Sequence, residues 1–548
     1  MTITRIVTQV SAKRQDLPKD ATSWSSVSSD LHLAWQRLKL DHQNRRCFVT
    51  HPYLYRWLEA DLKSWLSTVA RALDHGYTPG DCLICNEPKG GWMVRPGATL
   101  EVRDEIVFSA LLGHYHKNIW SAIGWSQGDP DVAYQFQRAS RKAEWVHSGF
   151  LVWNQWRTKS LDKLTRTIRF VVFADIAGFY ENIDLNRLSS DLRTIGFEGT
   201  HLTLLSACLK RWAHLRGKGI PQGYTASDLL AKLYLNSVDI GLADAGFKHL
   251  RYVDDIRIFC RNSLEAKRAL LTLTELLRNR GLNLQSAKTE IVRIDKARKK
   301  IDGVSPVIEA IQSNLSEELR AALSVPQSYA TLAEIERAVA SDASTPSVAV
   351  LEQAFADSFA LSSEGPFDKT LFHYLLTRLG TIRSRIAVEY CLDLLPNRPE
   401  ETKPVLRYLA FCDLNDKEIG VILNYMESSE AIYDYQLYQL VEWFLERTPP
   451  EKLVLLCRRW AFDRNREPWL RTASLRVLGS TGNQADLEKI ESSYSDAKTE
   501  LERAEIVVAL ERLETGRRNS FYNRVKADGE LVHRAIDILQ SRGKKGVL

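Results

Sequence analysis

Long apolar runs are missing from this chain. Nowhere do ~18 consecutive apolar residues occur, so no membrane-spanning helix is expected. The amino terminus, Met1-Thr-Ile-Thr-Arg-Ile-Val-Thr-Gln-Val10, lacks the apolar core of a secretory signal, which points to a cytoplasmic protein. Cysteine is sparse and scattered, with eight in 548 residues. Cys82-Leu-Ile-Cys85 has half of a zinc-site spacing, but no second Cys/His pair lies close by. Free thiols in a reducing compartment are the better reading. Charge of one sign is not concentrated either. The net charge of +6 is a mild basic bias, compatible with a nucleic-acid partner.

What is present is more specific. In Leu250-Arg-Tyr-Val-Asp-Asp-Ile-Arg-Ile-Phe259, apolar residues flank two adjacent carboxylates. Neighbouring aspartates in a short apolar strand repel each other and resist desolvation. A tight turn could explain them; so could a divalent cation held between them. A third carboxylate favours the cation. Ile168-Arg-Phe-Val-Val-Phe-Ala-Asp175 reads as a buried strand ending in an acid, followed by a turn into a helix. Asp175 and Asp254 are the expected metal ligands, together with the backbone of Ile176. Asp255 either joins them or adjusts the site, because successive strand residues point to opposite faces.

Between these elements lies Gly217-Lys-Gly-Ile-Pro-Gln-Gly-Tyr-Thr-Ala-Ser227, a Gly/Pro-rich loop opening a helix. Its glycines, Gly223 among them, allow close backbone approach to a ligand, and Gln222 can hydrogen-bond a sugar or base edge. After the Asp pair comes Gly281-Leu-Asn-Leu-Gln-Ser-Ala-Lys288. Lys288 reads as a proton donor to pyrophosphate, a phosphate contact, or a solvated lysine.

Four segments in this order, Ala174 to Ile183, Gly219 to Gly223, Tyr252 to Asp255 and Leu282 to Lys288, resemble motifs A to D of reverse transcriptases. The resemblance implies an α+β fingers–palm fold of the right-hand polymerase type. It implies Asp175, Asp254 and Asp255 as a catalytic triad, two Mg²⁺ ions (with Mn²⁺ as the alternative) and deoxynucleoside triphosphates as substrates. Tyr180 matches the family's steric gate against a 2′-hydroxyl, although it could also be a core aromatic. Pro88-Lys-Gly-Gly-Trp-Met-Val-Arg95 resembles the fingers hairpin that grips the triphosphate, with Lys89 and Arg95 as contacts and Arg103 as a further candidate.

The length calls for two or three domains. The motifs end near Ile291, and Lys296-Ala-Arg-Lys-Lys300 reads as a hydrophilic break. We expect fingers and palm over 1–300, a helical connector or thumb replacement over 301–345, and an all-α domain over 346–548. In the last region apolar residues recur every three or four positions, as in Leu371 to Leu379, Ala387 to Leu395, Trp469 to Leu478 and Ala504 to Leu513. This is the pattern of stacked helix pairs in HEAT-like solenoids. Basic and aromatic residues interleave between Arg138 and Arg166, including Trp145, Trp153, Trp156, Arg157, Lys159 and Lys163. They read equally as a strand-binding channel or as a Trp-rich core with a solvated basic face.

A polymerase followed by helical repeats resembles the abortive-infection (Abi) and defence-associated branch of bacterial reverse transcriptases. That implies antiphage defence and a homo-oligomer, trimer or hexamer. It also implies synthesis primed from a protein hydroxyl, with DNA left covalently attached, or copying of a noncoding RNA. Tyr53, Tyr55, Tyr433, Tyr435 and Tyr438 are the candidate priming hydroxyls. No RNase H constellation, HNH-like endonuclease pattern, integrase segment or clear thumb motif follows Lys288. A helical region from about 300 in place of the thumb, or a loosely held duplex, suits short, locally primed synthesis. A catalytically idle polymerase-derived scaffold is the other reading.

Overall fold

The computed structural model describes residues 24–28, 30–43, 48–49, 51, 53–136, 143–146, 149–302, 308, 323, 332–342, 346–359 and 367–545. After a short helix at Trp24–Ser28, its amino-terminal part carries helices α1 (Leu31–Gln43), α2 (Leu54–Glu59) and α3 (Leu62–Asp74). An antiparallel hairpin follows, β1 (Leu83–Lys89) and β2 (Met93–Thr99), in the register Glu87 to Arg95 and Lys89 to Met93. Gly91 at φ +77° turns it, and Trp92 follows at φ +63°. Helices α4 (Val102–His114), α5 (His116–Ile123) and α6 (Gly149–Asp162) lead into the central sheet.

That sheet is antiparallel, in the order β4 (Lys248–Tyr252), β5 (Asp255–Cys260), β3 (Phe170–Asp175), β6 (Glu290–Arg293). Strand β3 is central, and its apolar run from Val171 to Ala174 is buried on both faces. Between β3 and β4 run α7 (Phe179–Asn182), α8 (Leu185–Thr194), α9 (Gly199–Trp212) and α10 (Thr225–Asp244); α11 (Ser263–Asn279) follows β5. Asp184 caps α8 and Asn262 caps α11, each accepting from first-turn backbone N–H groups. Helices α10 and α11 pack on one face of the sheet. On the other face lie α6 and α12 (Ile294–Asp302): Trp156 of α6 stacks on Arg257 of β5, and Lys300 of α12 lies over the ring of Phe173. The stretch expected to be a hydrophilic break is therefore a helix, seated through Ala297 and Ile301, which are spaced i, i+4.

The remaining helices are α13 (Leu332–Ser341), α14 (Val348–Ser358), α15 (Lys369–Thr381), α16 (Val388–Asn397), α17 (Thr402–Leu409), α18 (Asp416–Glu427) and α19 (Asp434–Leu445). Then come α20 (Glu451–Trp460), α21 (Pro468–Thr481), α22 (Gln484–Ser492), α23 (Glu500–Ala509), α24 (Thr515–Val525) and α25 (Glu530–Lys545). Odd-numbered helices from α13 to α25 stack one on the next, and α16, α18 and α20 form part of a second layer. Most of the expected connector lies outside the described residues, but its helix α13 packs on α15. Capping boxes at Asn415/Glu418, Asn483/Asp486 and Thr499/Glu502 start α18, α22 and α23.

This array folds back onto the β1–β2 hairpin. Helix α19 packs on β1, and Lys403 pairs with Glu87 at 3.7 Å. The Tyr433 hydroxyl donates to the Trp92 carbonyl (3.1 Å) and that of Tyr435 to the Phe48 carbonyl (3.0 Å). At the other end α25 packs on α2, and Arg534 donates to the Asp61 carbonyl (3.1 Å). Among the described residues no helix is long and apolar enough to cross a membrane.

Candidate active site

Strand β3 delivers Asp175 to the sheet's end, directly opposite Asp255 in the β3–β5 ladder. Directly opposed residues share a face, so both carboxylates stand on the side that carries α6 and α12. Tyr252 pairs with Asp255 across the β4–β5 hairpin, which leaves Val253 and Asp254 as the two-residue turn. That turn type requires positive φ, and Val253 adopts +55°. A β-branched residue is strained there, at a cost of ~1–3 kcal/mol.

A buried guanidinium holds the strained turn. Arg251 donates to the Val253 carbonyl (3.0 Å) and is clasped by Asp239 (2.6 Å) and Asp131 (2.9 Å). Lys232 on α10 also pairs with Asp131 (2.6 Å), and His249 contacts Asp239 (3.2 Å). Asp131 reaches the network because its segment pairs along the β4 edge at Arg251. Arg251, Asp239 and Asp131 are each no more than 1 % exposed, so each charge depends on its partners.

The carboxylates themselves are poorly neutralised. Burial, Asp255 and Asp175 together push the Asp254 carboxyl up to about 8. Burial and Asp175 push Asp255 up to about 6, against the pull of Arg257, Lys288 and Lys300. The Asp255 Oδ2 atom is buried with no hydrogen-bond partner. Asp175 is met by Lys288, whose ammonium lies 3.3 Å from Oδ1. The segment before Lys288 is tied to β3 by Ala177 N–H to the Asn283 carbonyl and Gln285 N–H to the Asp175 carbonyl. These bonds flank the Ile176–Leu284 bridge and use neither the N–H nor the carbonyl of Ile176.

The nucleotide-side candidates gather around this edge. Lys89, at the end of β1, has its ammonium lowered by partial burial and by Arg95 and Lys288, while Asp175 and Asp254 act in the opposite sense. Arg95 sits opposite Glu87, 3.8 Å away. Arg103 is turned from the site, on α4, and pairs with Glu500 of the array at 3.5 Å. Tyr180 and Gln222 line one groove with Ile84, Ala98 and Gly219. The Tyr180 hydroxyl donates to Asp228 on α10 (2.6 Å), which fixes the ring's direction. Gly219, at φ +96°, lies so close to Glu181 that a Cβ would stand 3.2 Å from its carbonyl oxygen. Gly223, at φ +111°, sits beside Gln222, whose carbonyl accepts from Ala98 N–H (3.2 Å) and ties loop to hairpin.

Sequence reasoning missed Arg251, Asp239, Asp131 and Asp228. The Arg-Tyr prefix of the Asp pair was a visible signal for Arg251 only. The interleaved basic and aromatic row is largely structural where it is described. Trp145 and Trp156 are buried, Arg157 pairs with Asp302, Lys163 with Asp129 at 2.7 Å, and Lys159 donates to the Gly128 carbonyl. Arg138 and the side chain of Trp153 lie outside the described residues. Cys82 and Cys85 are free thiols, and Cys85 is fully buried.

Residues 119–324, which contain every element of the carboxylate site, match the family model for reverse transcriptase (RNA-dependent DNA polymerase). No curated protein matches the chain. Among solved structures, apo telomerase from Candida tropicalis is similar at 13 % identity over 66 % of this chain and 74 % of that one, with a TM-score of 0.27. A likeness that distant leaves the assignment to the family match. The chain thus carries a reverse transcriptase domain, and it is a reverse transcriptase-like nucleotidyltransferase.

Proposed function

We propose that this chain is a DNA polymerase of antiphage defence that starts synthesis from one of its own hydroxyls. The observation that carries the chemistry is the convergence of Asp175, Asp254 and Asp255 with one buried carboxylate oxygen left unpartnered. Such a set fits divalent cations, which would satisfy that oxygen and relieve the repulsion that raises Asp254. Among the described residues no group of three or more His, Cys, Asp or Glu side chains stands arranged to hold a metal ion, so the three carboxylates would have to draw together around one. The donors would be the three carboxylates and the Ile176 carbonyl. Bound there, two Mg²⁺ ions, or Mn²⁺ in their place, supply the charge that activates a 3′-hydroxyl and stabilises pyrophosphate.

The protein's own groups do the rest. Lys89 and Arg95 bind the triphosphate. The ring of Tyr180, held by Asp228, excludes a 2′-hydroxyl and selects deoxynucleotides. Gln222 and the Gly223 backbone meet the sugar or base. Lys288 gives its proton to the departing pyrophosphate.

The defence reading rests on architecture: a reverse transcriptase domain and a helical array packed against the β1–β2 hairpin. Of the five tyrosines considered for priming, Tyr435 and Tyr438 are buried, and Tyr53 and Tyr55 are half-buried. Tyr433 is half-buried too, and its hydroxyl donates to the Trp92 carbonyl at the tip of the β1–β2 hairpin. A homo-oligomer, trimer or hexamer, is part of the same reading.

The test is incorporation of labelled deoxynucleotides by the purified protein with Mg²⁺ and no added nucleic acid, followed by protease and nuclease digestion. Label that migrates with the protein until protease treatment is expected, with none in an Asp254→Ala/Asp255→Ala protein that still folds. Incorporation that waits for a copurifying or added RNA would replace self-priming with noncoding-RNA templating. Silence under all conditions would leave an idle scaffold.

A further inference from the structure

The polymerase reading leaves open what holds the product strand. Helix α12 occupies a telling place. Strand β6 runs away from the carboxylates, pairing Glu290 with Phe173 and Arg293 with Phe170. The nine-residue helix α12 then returns towards them. At its upper end Lys300 pairs with Glu290 and lies 4.5 Å from the Phe173 ring centre, on the face that carries Asp175 and Asp255. Asp302 staples the helix to Arg157 of α6.

The inner face of α12 is thus used up in packing, and the outer face is not. Lys296, Arg298 and Lys299 are exposed, and none has an ion-pair partner among the described residues. Most basic residues of the interleaved row on α6 are already engaged, as described above, so the uncommitted positive charge has moved to α12. A helix dipole would reward Lys299 in the last turn but gives no reason for Lys296 or Arg298. The helix is about 13 Å long, which at ~3.4 Å per nucleotide spans about four phosphates of one strand.

We propose that the exposed side of α12, with Lys296 and Lys299 one turn apart, Arg298 on its flank and Asp295 already paired with Arg293, binds phosphates of the DNA product strand as it leaves the carboxylates. This rests on the polymerase reading for the identity of the strand, and on geometry and charge alone for the site. The site takes over part of a thumb's work: it holds the strand electrostatically, without base contacts, and permits short tracts rather than long ones.

The test uses full-length Lys296→Gln/Arg298→Gln/Lys299→Gln protein and a labelled single-stranded oligodeoxynucleotide, titrated by anisotropy at several KCl concentrations. Losing three phosphate contacts on a single strand should flatten the slope of log K against log[salt] by about 2 and weaken low-salt binding by roughly tenfold or more. First-nucleotide incorporation should persist while products shorten. A Lys296→Arg/Lys299→Arg protein should bind as the native one does. Unchanged affinity and slope in a glutamine variant with native melting behaviour would overturn the site, as would equal loss in the arginine variant. An RNA oligonucleotide of the same sequence runs in parallel; loss confined to RNA would overturn the product-strand assignment. Binding needs no catalysis, so a protein that binds through α12 but never incorporates nucleotide sinks the polymerase reading and spares the site.

Discussion

The palm sheet and the helical array both bury charge, but they treat it differently. In the array, buried charges meet opposite charges across stacked helices. Arg378 pairs with Asp342 at 3.0 Å, His373 and Lys369 meet Glu401 at 2.6 and 3.2 Å, and Arg476 meets Glu442 at 2.8 Å and Glu505 at 3.7 Å. At the end of the palm sheet three carboxylates meet one another, with Lys288 as the lysine in direct contact. The first pattern fixes helices in place. The second raises the free energy of the fold and makes sense only if something else completes it. Buried charge points to a working site where like charges crowd together, and to a scaffold where opposite charges meet.

Arg251 tests this distinction most sharply, because it belongs to both patterns. It is matched by Asp239 and Asp131, yet its bond to Val253 sets the turn that presents Asp254. Arg251→Met should cost ~3–5 kcal/mol, since it strands buried carboxylates. Arg476→Met in the array should cost a similar amount for the same reason. The two should part in activity. Per folded molecule, measured below the melting transition, Arg251→Met should lower nucleotide incorporation about 100-fold through the loosened turn. Arg476→Met should leave it within about twofold. Equal activity losses would mean that the array acts on the site as directly as the palm does.

These two regions also differ in how far their sequences could be read. Asp175, Asp254 and Asp255 were legible because each closes or breaks a short apolar strand, a signal contained in a few residues. Helices α15, α16, α21 and α23 were legible from their three-and-four spacing. What the sequence hid is long-range. Asp131 and Asp239 come to Arg251 from other elements, and Asp228 reaches Tyr180 across 48 positions. Nothing local marks Arg103 for Glu500 rather than a triphosphate. Helix α12 was read as a break because two small anchors, Ala297 and Ile301, are too few to stand out against so many charges. The basic and aromatic row of α6 shows the reverse error: its charges count as free until their partners are seen.

A smaller effect is expected at Tyr180, whose hydroxyl is held by Asp228 of α10. Tyr180→Val removes the ring and should raise ribonucleotide use relative to deoxynucleotide use by about 10- to 100-fold, a loss of ~1–3 kcal/mol in discrimination. Tyr180→Phe keeps the ring and loses only the bond to Asp228, so discrimination should stay within a few-fold of native. Competition between the two nucleotide classes in primer extension reads both. Equal behaviour of the two variants would place Tyr180 in the core rather than at the sugar.

The smallest effect is thermodynamic and goes back to the mutually repelling carboxylates. Asp254 and Asp255 hold their protons to about 8 and about 6 in the folded protein, whereas an unfolded Asp releases its proton near ~3.9. Between those values the folded state binds more protons than the unfolded state. Stability must therefore fall as pH rises from ~4 to about 8, and level off once both groups are ionised. In a chelator, Asp254→Asn lacks the later proton, so its decline should end near the Asp255 value of about 6. It should then melt above the native protein at pH 8 by about 2–4 °C for each kcal/mol of repulsion relieved. Added Mg²⁺ should restore the native protein more than the variant, because binding to the folded state alone stabilises it. The array's ion pairs predict no such response to Mg²⁺, so a native melting curve indifferent to both pH and Mg²⁺ over this range would show that the carboxylates at the sheet's end do not repel one another as their crowding implies.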